Sequence, residues 1–302
     1  MSWAAHQFEV YAIEAHLPKK MKGKISWWAI FFGDFTPDFL AKFWVYGITV
    51  NGVHYGASRP FQWHRGWPGM GFTHTLFFGV LLTLGIWGWK HNRAWTVGFL
   101  FGFAAHVLTD VNDSIGTMLL FPLSTLNWSL HTWAYAASAE GGKYLDAAAY
   151  YSSLGAAMDL FWFVVVLFSW RVLTREFWRT QVVPADPYVW SWLGRLLDER
   201  GLLALYRSIF FYGVCRMISW SVWAHAVADP IINGVKHSGY PYDFSWTGPW
   251  WVRNVKLPHV SPLIVLPVTL ALLGLVYLVA MALWERMERP VKTATASRNE
   301  RR

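Results

Sequence analysis

Three groups of residues in this chain have the types and spacing for metal chemistry. His106 and Asp110 stand four apart in AAHVLTDVNDSIGTMLLFP, residues 104–122. On a helix that spacing puts an imidazole and a carboxylate on one face, about 5–6 Å apart at Cβ. Such a pair can bind one divalent metal or bridge two, and Asp113 lies on the next turn. A buried His–Asp hydrogen bond that holds helices together is the structural alternative. Asp34 and Asp38, in GDFTPDFL, repeat the four-residue spacing. Two carboxylates so placed repel unless a cation or a proton separates them. A metal would do this, as would Lys42 or simple protonation, and Pro37 is a candidate helix break between them. The third group is HRGWPGMGFTHT, which offers His64, Arg65 and His74 among glycines that allow close backbone approach.

Other ionisable residues read as structural. Asp159, in AAMDLFWF, is expected to pair with Arg207 or Arg216, or to support a metal ligand from behind. His131 and Glu140 could extend the site. His225 and Asp229 precede Pro230, where a helix cap or local ion pair is expected.

The elements that position these groups are read from apolar runs. The 302 residues are 55% hydrophobic and only 15% charged, with a mean hydropathy of +0.26, whereas soluble domains carry about 25% charge. Runs long enough to cross a bilayer occur at 25–46, 75–89, 95–120, 152–173, 202–227 and 262–284. The expectation is an all-α fold, a polytopic integral membrane bundle of about six transmembrane helices. The segments 25–46 and 202–227 carry the most charge, and the second could instead lie along the membrane surface. The 22 tryptophans suit interfacial belts and core. Cys215 is the single cysteine, which excludes an internal disulfide and a cysteine-based zinc site. The N-terminal stretch lacks the apolar core of a signal peptide.

Lysines and arginines alternate between connections. They are dense in 19–24, 90–93, 171–200 and 286–302, and sparse in 47–72, 121–151 and 230–261. Basic loops stay in the cytoplasm, so the count predicts six spans with both termini cytoplasmic. The net charge of +8 fits a basic face beside anionic lipid, and no nucleic-acid motif accompanies it. The domain reading is a four-helix membrane region over 1–173, a cytoplasmic linker over 174–201, a C-terminal two-helix membrane region with a Trp-rich loop over 202–287, and a basic disordered tail over 288–302.

The order of the motifs resembles the YdjM-like group, the LexA-regulated family of membrane-bound metal-dependent hydrolases. That family runs through an early histidine, a PD segment, HRGxTHS and HLxLDxxTxxGxxxLxP. The counterparts here are His6; Pro37 and Asp38; His64, Arg65 and Gly66 with Phe72 to Thr75; and His106 to Pro122 with Gly116. The resemblance covers about residues 1–125. It departs where Phe39 and Leu40 follow Asp38 in place of a second aspartate, for which Asp34 is the candidate substitute. It departs again where a WPGM-like insertion separates His64 from His74, and where Asn112 and Asp113 replace the Thr-Pro region.

The resemblance implies a bacterial inner-membrane enzyme with His6, Asp38, His64, His74, His106 and Asp110 as metal ligands, Asp34 and Arg65 in catalytic roles, and zinc or manganese as the divalent metal. The implied reaction is metal-assisted hydrolysis of a lipid-like or amphiphilic ester or phosphoester, with hydroxide drawn from water whose pKa the metal lowers and Arg65 gripping a phosphate. The topology above puts His6 on the cytoplasmic side, opposite His64 and His74. Either His6 is no ligand or 25–46 is re-entrant. A second reading is a non-catalytic integral subunit or scaffold of a larger membrane complex, built from a decayed hydrolase, with membrane lipid and other subunits as partners. A third has His106 and His225 ligating haem or a pigment.

Overall fold

The computed structural model describes residues 2–46, 48–55, 71–112, 116–130, 132, 150–151, 154–226 and 260–288. Helices dominate these residues. The first, α1 (Trp3–His16), begins where the Ser2 hydroxyl accepts hydrogen bonds from the Ala4 and Ala5 amides. That is a standard N-cap, which satisfies amides with no partner of their own inside the helix. No helix was expected here. Ala4, Ala5, Phe8, Val10, Tyr11 and Ala12 are all buried, so α1 is enclosed by protein on more than one face.

After α1 comes α2 (Trp27–Tyr46), which continues through Pro37. The expected break does not occur, and Asp34 and Asp38 therefore share a face. Part of the following loop forms a hairpin of β1 (Ile48–Val50) and β2 (Val53–Tyr55). Asn51 and Gly52 turn it, both at positive φ, as two-residue hairpin loops favour. Next, α3 (Leu76–Lys90) is capped by the Thr75 hydroxyl and α4 (Arg93–Thr109) by the Asn92 side chain. The run expected to extend to 120 stops at Thr109. A 3-10 turn follows at Asp110–Asn112, and then an antiparallel bridge between Thr117 and Trp128. Gly116 holds φ +67° there, and any Cβ on it would overlap the Trp128 carbonyl, so this reversal requires glycine.

The remaining helices are α5 (Gly155–Phe168), α6 (Pro187–Leu193), α7 (Glu199–Ala226) and α8 (Pro262–Glu288). Between α5 and α7 the chain forms short helical turns. Trp178 and Trp190 are buried, and Trp190 packs against Trp28 of α2. The Ser26 hydroxyl donates to Asp186 at 2.6 Å. One apolar core joins Phe8, Tyr11, Trp27, Leu100, Val166, Trp190, Tyr206 and Trp284, so 174–201 is part of the packed body.

Three helices are long and apolar enough to cross a membrane by length and composition, at Arg93–Asn112, Glu199–Ala224 and Pro262–Met287. Most of the first is buried within the protein, while the other two are mostly exposed. Thus α4 is the central post, and α7 and α8 present apolar faces outward, among them Leu263, Leu270 and Leu278.

The helix directions matter for the site. The Ser26 amide donates to Ala94, which sets the starts of α2 and α4 side by side. Further along, a Cβ on Gly102 would overlap the Ile30 carbonyl, and one on Gly33 would overlap that of Phe99. The two helices therefore run parallel in backbone contact. Opposite to both runs α1, since His6 and Glu9 in its first half face Asp110 and Thr109 at the end of α4, while Tyr11 further along packs on Trp27 at the start of α2. The α5 helix runs parallel to α1, with Ser2 on Asp159 near its start and His16 by Ser169 at its end. At the end of the bundle where α2 and α4 start, Lys20 pairs with Glu285, Arg93 covers the Trp284 ring, and Arg175 and Arg179 both engage Glu199. The other end holds the starts of α1, α3 and α5.

A buried histidine and aspartate cluster as a candidate metal centre

Each helix delivers its ionisable residues to one place. One turn into α1 stands His6; Asp34 and Asp38 come from the middle of α2; His74 comes from the 3-10 turn Phe72–His74 that leads into α3; His106 and Asp110 come from the end of α4. Opposite helix directions let His6 meet Asp34 near the middle of α2 and Asp110 at the end of α4. Gly71, at φ +77°, turns the chain so that His74 points into the bundle, fully buried. All six residues are buried.

Asp38, His74, His106 and Asp110 form one group whose ligand atoms lie within 4.8 Å of one another, and His6, Asp34 and His106 form a second. In the first, His74 Nε2 lies 3.6 Å from Asp38 Oδ1 and 3.9 Å from Asp110 Oδ2. His106 Nε2 lies 3.8 Å from Asp38 Oδ1 and 3.5 Å from Asp110 Oδ2. In the second, Asp34 Oδ1 lies 3.5 Å from His6 Nδ1 and 3.9 Å from His106 Nδ1. Asp110 touches both groups, because its Oδ1 faces His6 Nε2 at 3.5 Å.

These separations can be tested against the chemistry. Hydrogen bonds to oxygen run about 2.7–3.2 Å. Both ring nitrogens of His106, with His6 Nε2 and Asp34 Oδ1, are buried and make no hydrogen bond. Donors arranged tetrahedrally about an ion at about 2.0–2.2 Å stand roughly 3.3–3.6 Å apart. The spacings of the first group, 3.5–3.9 Å, lie at and just beyond those edges, so the donor set is compatible with a metal ion. These buried His and Asp groups could hold a metal ion.

Sequence reasoning passed over Glu9. Fully buried on α1, it meets His6 Nδ1 at 3.1 Å. The Thr109 hydroxyl of α4 approaches the same carboxylate at 3.4 Å. The signal was available as H-x-x-E one turn after a serine cap, which sets both side chains on one face. Glu9 fixes which way the His6 ring faces, as carboxylates behind metal-bound histidines do.

The other candidates lie elsewhere. His64, Arg65, Asp113, His131, Glu140 and Asp229 fall outside the described residues, as do the side chains of Lys42 and His225. Asp159 is buried, and no salt bridge to an arginine is seen for it among the described residues. It accepts hydrogen bonds from the hydroxyls of Ser2, Tyr150 and Tyr151 at 2.6–2.7 Å. Arg207 instead donates to the Leu173 carbonyl and Arg216 to the Tyr212 hydroxyl. In comparisons with protein-family models, with curated proteins and with solved structures, nothing matches the chain.

Proposed function

We propose that the protein is a membrane-bound metal-dependent hydrolase acting on a lipid-like or amphiphilic ester or phosphoester, akin to the YdjM-like group. One observation carries the reading: six buried His and Asp residues from four separate parts of the chain converge at spacings suited to a cation. Several carboxylates gathered in a membrane protein's interior are costly unless something compensates their charge. The mixed imidazole and carboxylate set suits zinc, with manganese as the alternative.

In this reading Asp38, His74, His106 and Asp110 bind the cation. When bound, it acts as a Lewis acid and makes water a better nucleophile at neutral pH. His6 and Glu9 orient Asp110 from behind. Asp34 lies outside the four-residue group, with Oδ1 near His6 and His106, and is the candidate proton acceptor. Arg65 remains the candidate phosphate grip.

The proposed setting is the bacterial inner membrane, crossed by α2, α3, α4, α5, α7 and α8, with α1 enclosed among them as a seventh passage from the non-cytoplasmic end to the basic end. Helices of 15 and 14 residues, such as α3 and α5, reach about 22 Å, so flanking turns complete those crossings. The basic end of the bundle is read as cytoplasmic. Because α1 starts at the opposite end, this reading moves the N-terminus to the non-cytoplasmic side, whereas the lysine and arginine count alone put both termini in the cytoplasm. The cluster then opens toward the non-cytoplasmic half.

The test is elemental analysis of gently purified protein, wild type beside His106→Ala and Asp110→Asn. One or more equivalents of zinc or manganese, lost in both variants, supports the hydrolase and justifies a substrate screen. No metal in wild type after reconstitution sinks it, and leaves the non-catalytic subunit whose partners a native pull-down would seek.

A further inference from the structure

At the basic end, away from the histidine cluster, a groove of about 860 Å³ lies between the end of α1, the turn Trp170–Leu173 and the helical segment after it. Its lining includes Lys22 and Arg171, the Ser169 hydroxyl, the aromatic rings of Phe168 and Trp170, and one acid, Glu176. Several other cations at this end are engaged. Arg175 and Arg179 hold Glu199, Lys20 holds Glu285, and Arg207 donates to a backbone carbonyl. Lys22 and Arg171 form no ion pair with a carboxylate among the described residues. Beside these two cations, Phe168 is 88% and Trp170 59% exposed. They continue the apolar outer face of α5, where Leu160, Phe161 and Leu167 are also exposed.

The arrangement is amphiphilic: two exposed cations and a serine share the lining with two exposed aromatic rings, and an apolar helix face leads away. We propose that this groove seats the phosphate headgroup of an anionic glycerophospholipid, with the acyl chains lying along α5. Lys22 supplies a point charge, and Arg171 a planar fork that can grip two phosphate oxygens. Trp170 sits where an indole favours the level of the headgroups. Basic pockets on the cytoplasmic side of helix bundles select such lipids on these grounds. The inference rests on the membrane placement above but not on the metal site or on hydrolysis.

The test is native mass spectrometry of the full chain released from nanodiscs of phosphatidylcholine alone or with phosphatidylglycerol. Wild type is expected to retain phosphatidylglycerol in preference to phosphatidylcholine. The double substitution Lys22→Ala with Arg171→Ala is expected to weaken that retention on the order of 30-fold, from roughly a fivefold contribution per cation. The charge-keeping pair Lys22→Arg and Arg171→Lys should restore most of it, and Arg175→Ala, which removes a cation already paired with Glu199, should change it little. Equal retention of the two lipids, or equal phosphatidylglycerol retention in wild type and the double alanine variant, overturns the proposal. So does displacement of the bound species by millimolar inorganic phosphate, which would identify a soluble anion as the occupant.

Discussion

The imidazoles of His6 and His106 lie stacked, with ring centroids 3.9 Å apart and planes inclined by 10°. The rings come from α1 and α4 and approach the same Asp34 oxygen through their Nδ1 atoms. His106 belongs to both possible ligand groups, and His6 to one. The two histidines are therefore not equivalent. His6→Ala is expected to leave the four-residue group intact and to retain about one equivalent of metal, while His106→Ala loses all of it. Elemental analysis of the two variants side by side decides this. Identical metal loss in both would mean that the groups do not act separately.

Glu9 is expected to work through His6. For an ion held by the second group, to which His6 belongs, replacing the carboxylate that orients this histidine costs about 10–100-fold in affinity. Glu9→Gln should therefore lose metal to a graded chelator earlier than wild type, with its helical signal unchanged. Unaltered chelator resistance would make Glu9 a purely structural partner.

The candidate metal ligands of α2 and α4 depend on backbone contact between the two helices. Gly102→Ala places a methyl group on the Ile30 carbonyl, with no flexible side chain able to yield. A destabilisation of about 2 kcal/mol or more is expected, along with weaker metal retention as Asp34 and Asp38 move away from His106. Gly98→Ala, whose Cβ would meet Ala29 at 3.0 Å, should be milder. Thermal unfolding of both in the same detergent tests the order, and equal midpoints would contradict the parallel packing.

Asp159 offers the opposite pattern. It holds three hydroxyls and no cluster residue. Asp159→Asn should cost about 1–3 kcal/mol by weakening hydrogen bonds to a charged acceptor, with metal content retained. Loss of metal at full stability would instead tie this carboxylate to the centre.

Topology can be read with the chain's single cysteine removed. In a Cys215→Ser background, Leu123→Cys, at a position 93% exposed beyond the end of α4, should react with an impermeant maleimide in intact spheroplasts. Lys90→Cys, at the opposite end, should react only after the membrane is opened. Labelling of both positions from the same side would reject the proposed orientation.

The cluster was legible because its chemistry is written at helical spacing. His106 with Asp110, and Asp34 with Asp38, each stand four apart, and each pair sits in an apolar run where ionisable residues are rare. What hid α1 was the same reasoning. Its 14 residues include His6, Glu9 and Glu14, so no window along it is apolar enough to signal a span, yet it is buried because protein surrounds it. Hydropathy finds helices that face lipid and overlooks those that face other helices. Pro37 misled in a simpler way, since neighbours in a packed bundle can sustain a helix through a proline. The stop at Thr109 depended on the Gly116 reversal and the Thr117–Trp128 bridge, and pairing over that distance leaves no mark in periodicity.

The enclosure of α1 has a consequence for biogenesis. Its neighbours include α5 and α7, made some 150 to 200 residues later in the chain. During synthesis the first helix to emerge thus waits for its seat until α7 is made, because the walls that receive it do not yet exist. His6, the earliest residue of the cluster, would arrive last. A ribosome-stalled chain ending before α5 would hold the α2 and α4 carboxylates without their α1 partner, and metal loading would then mark the completion of folding rather than its beginning.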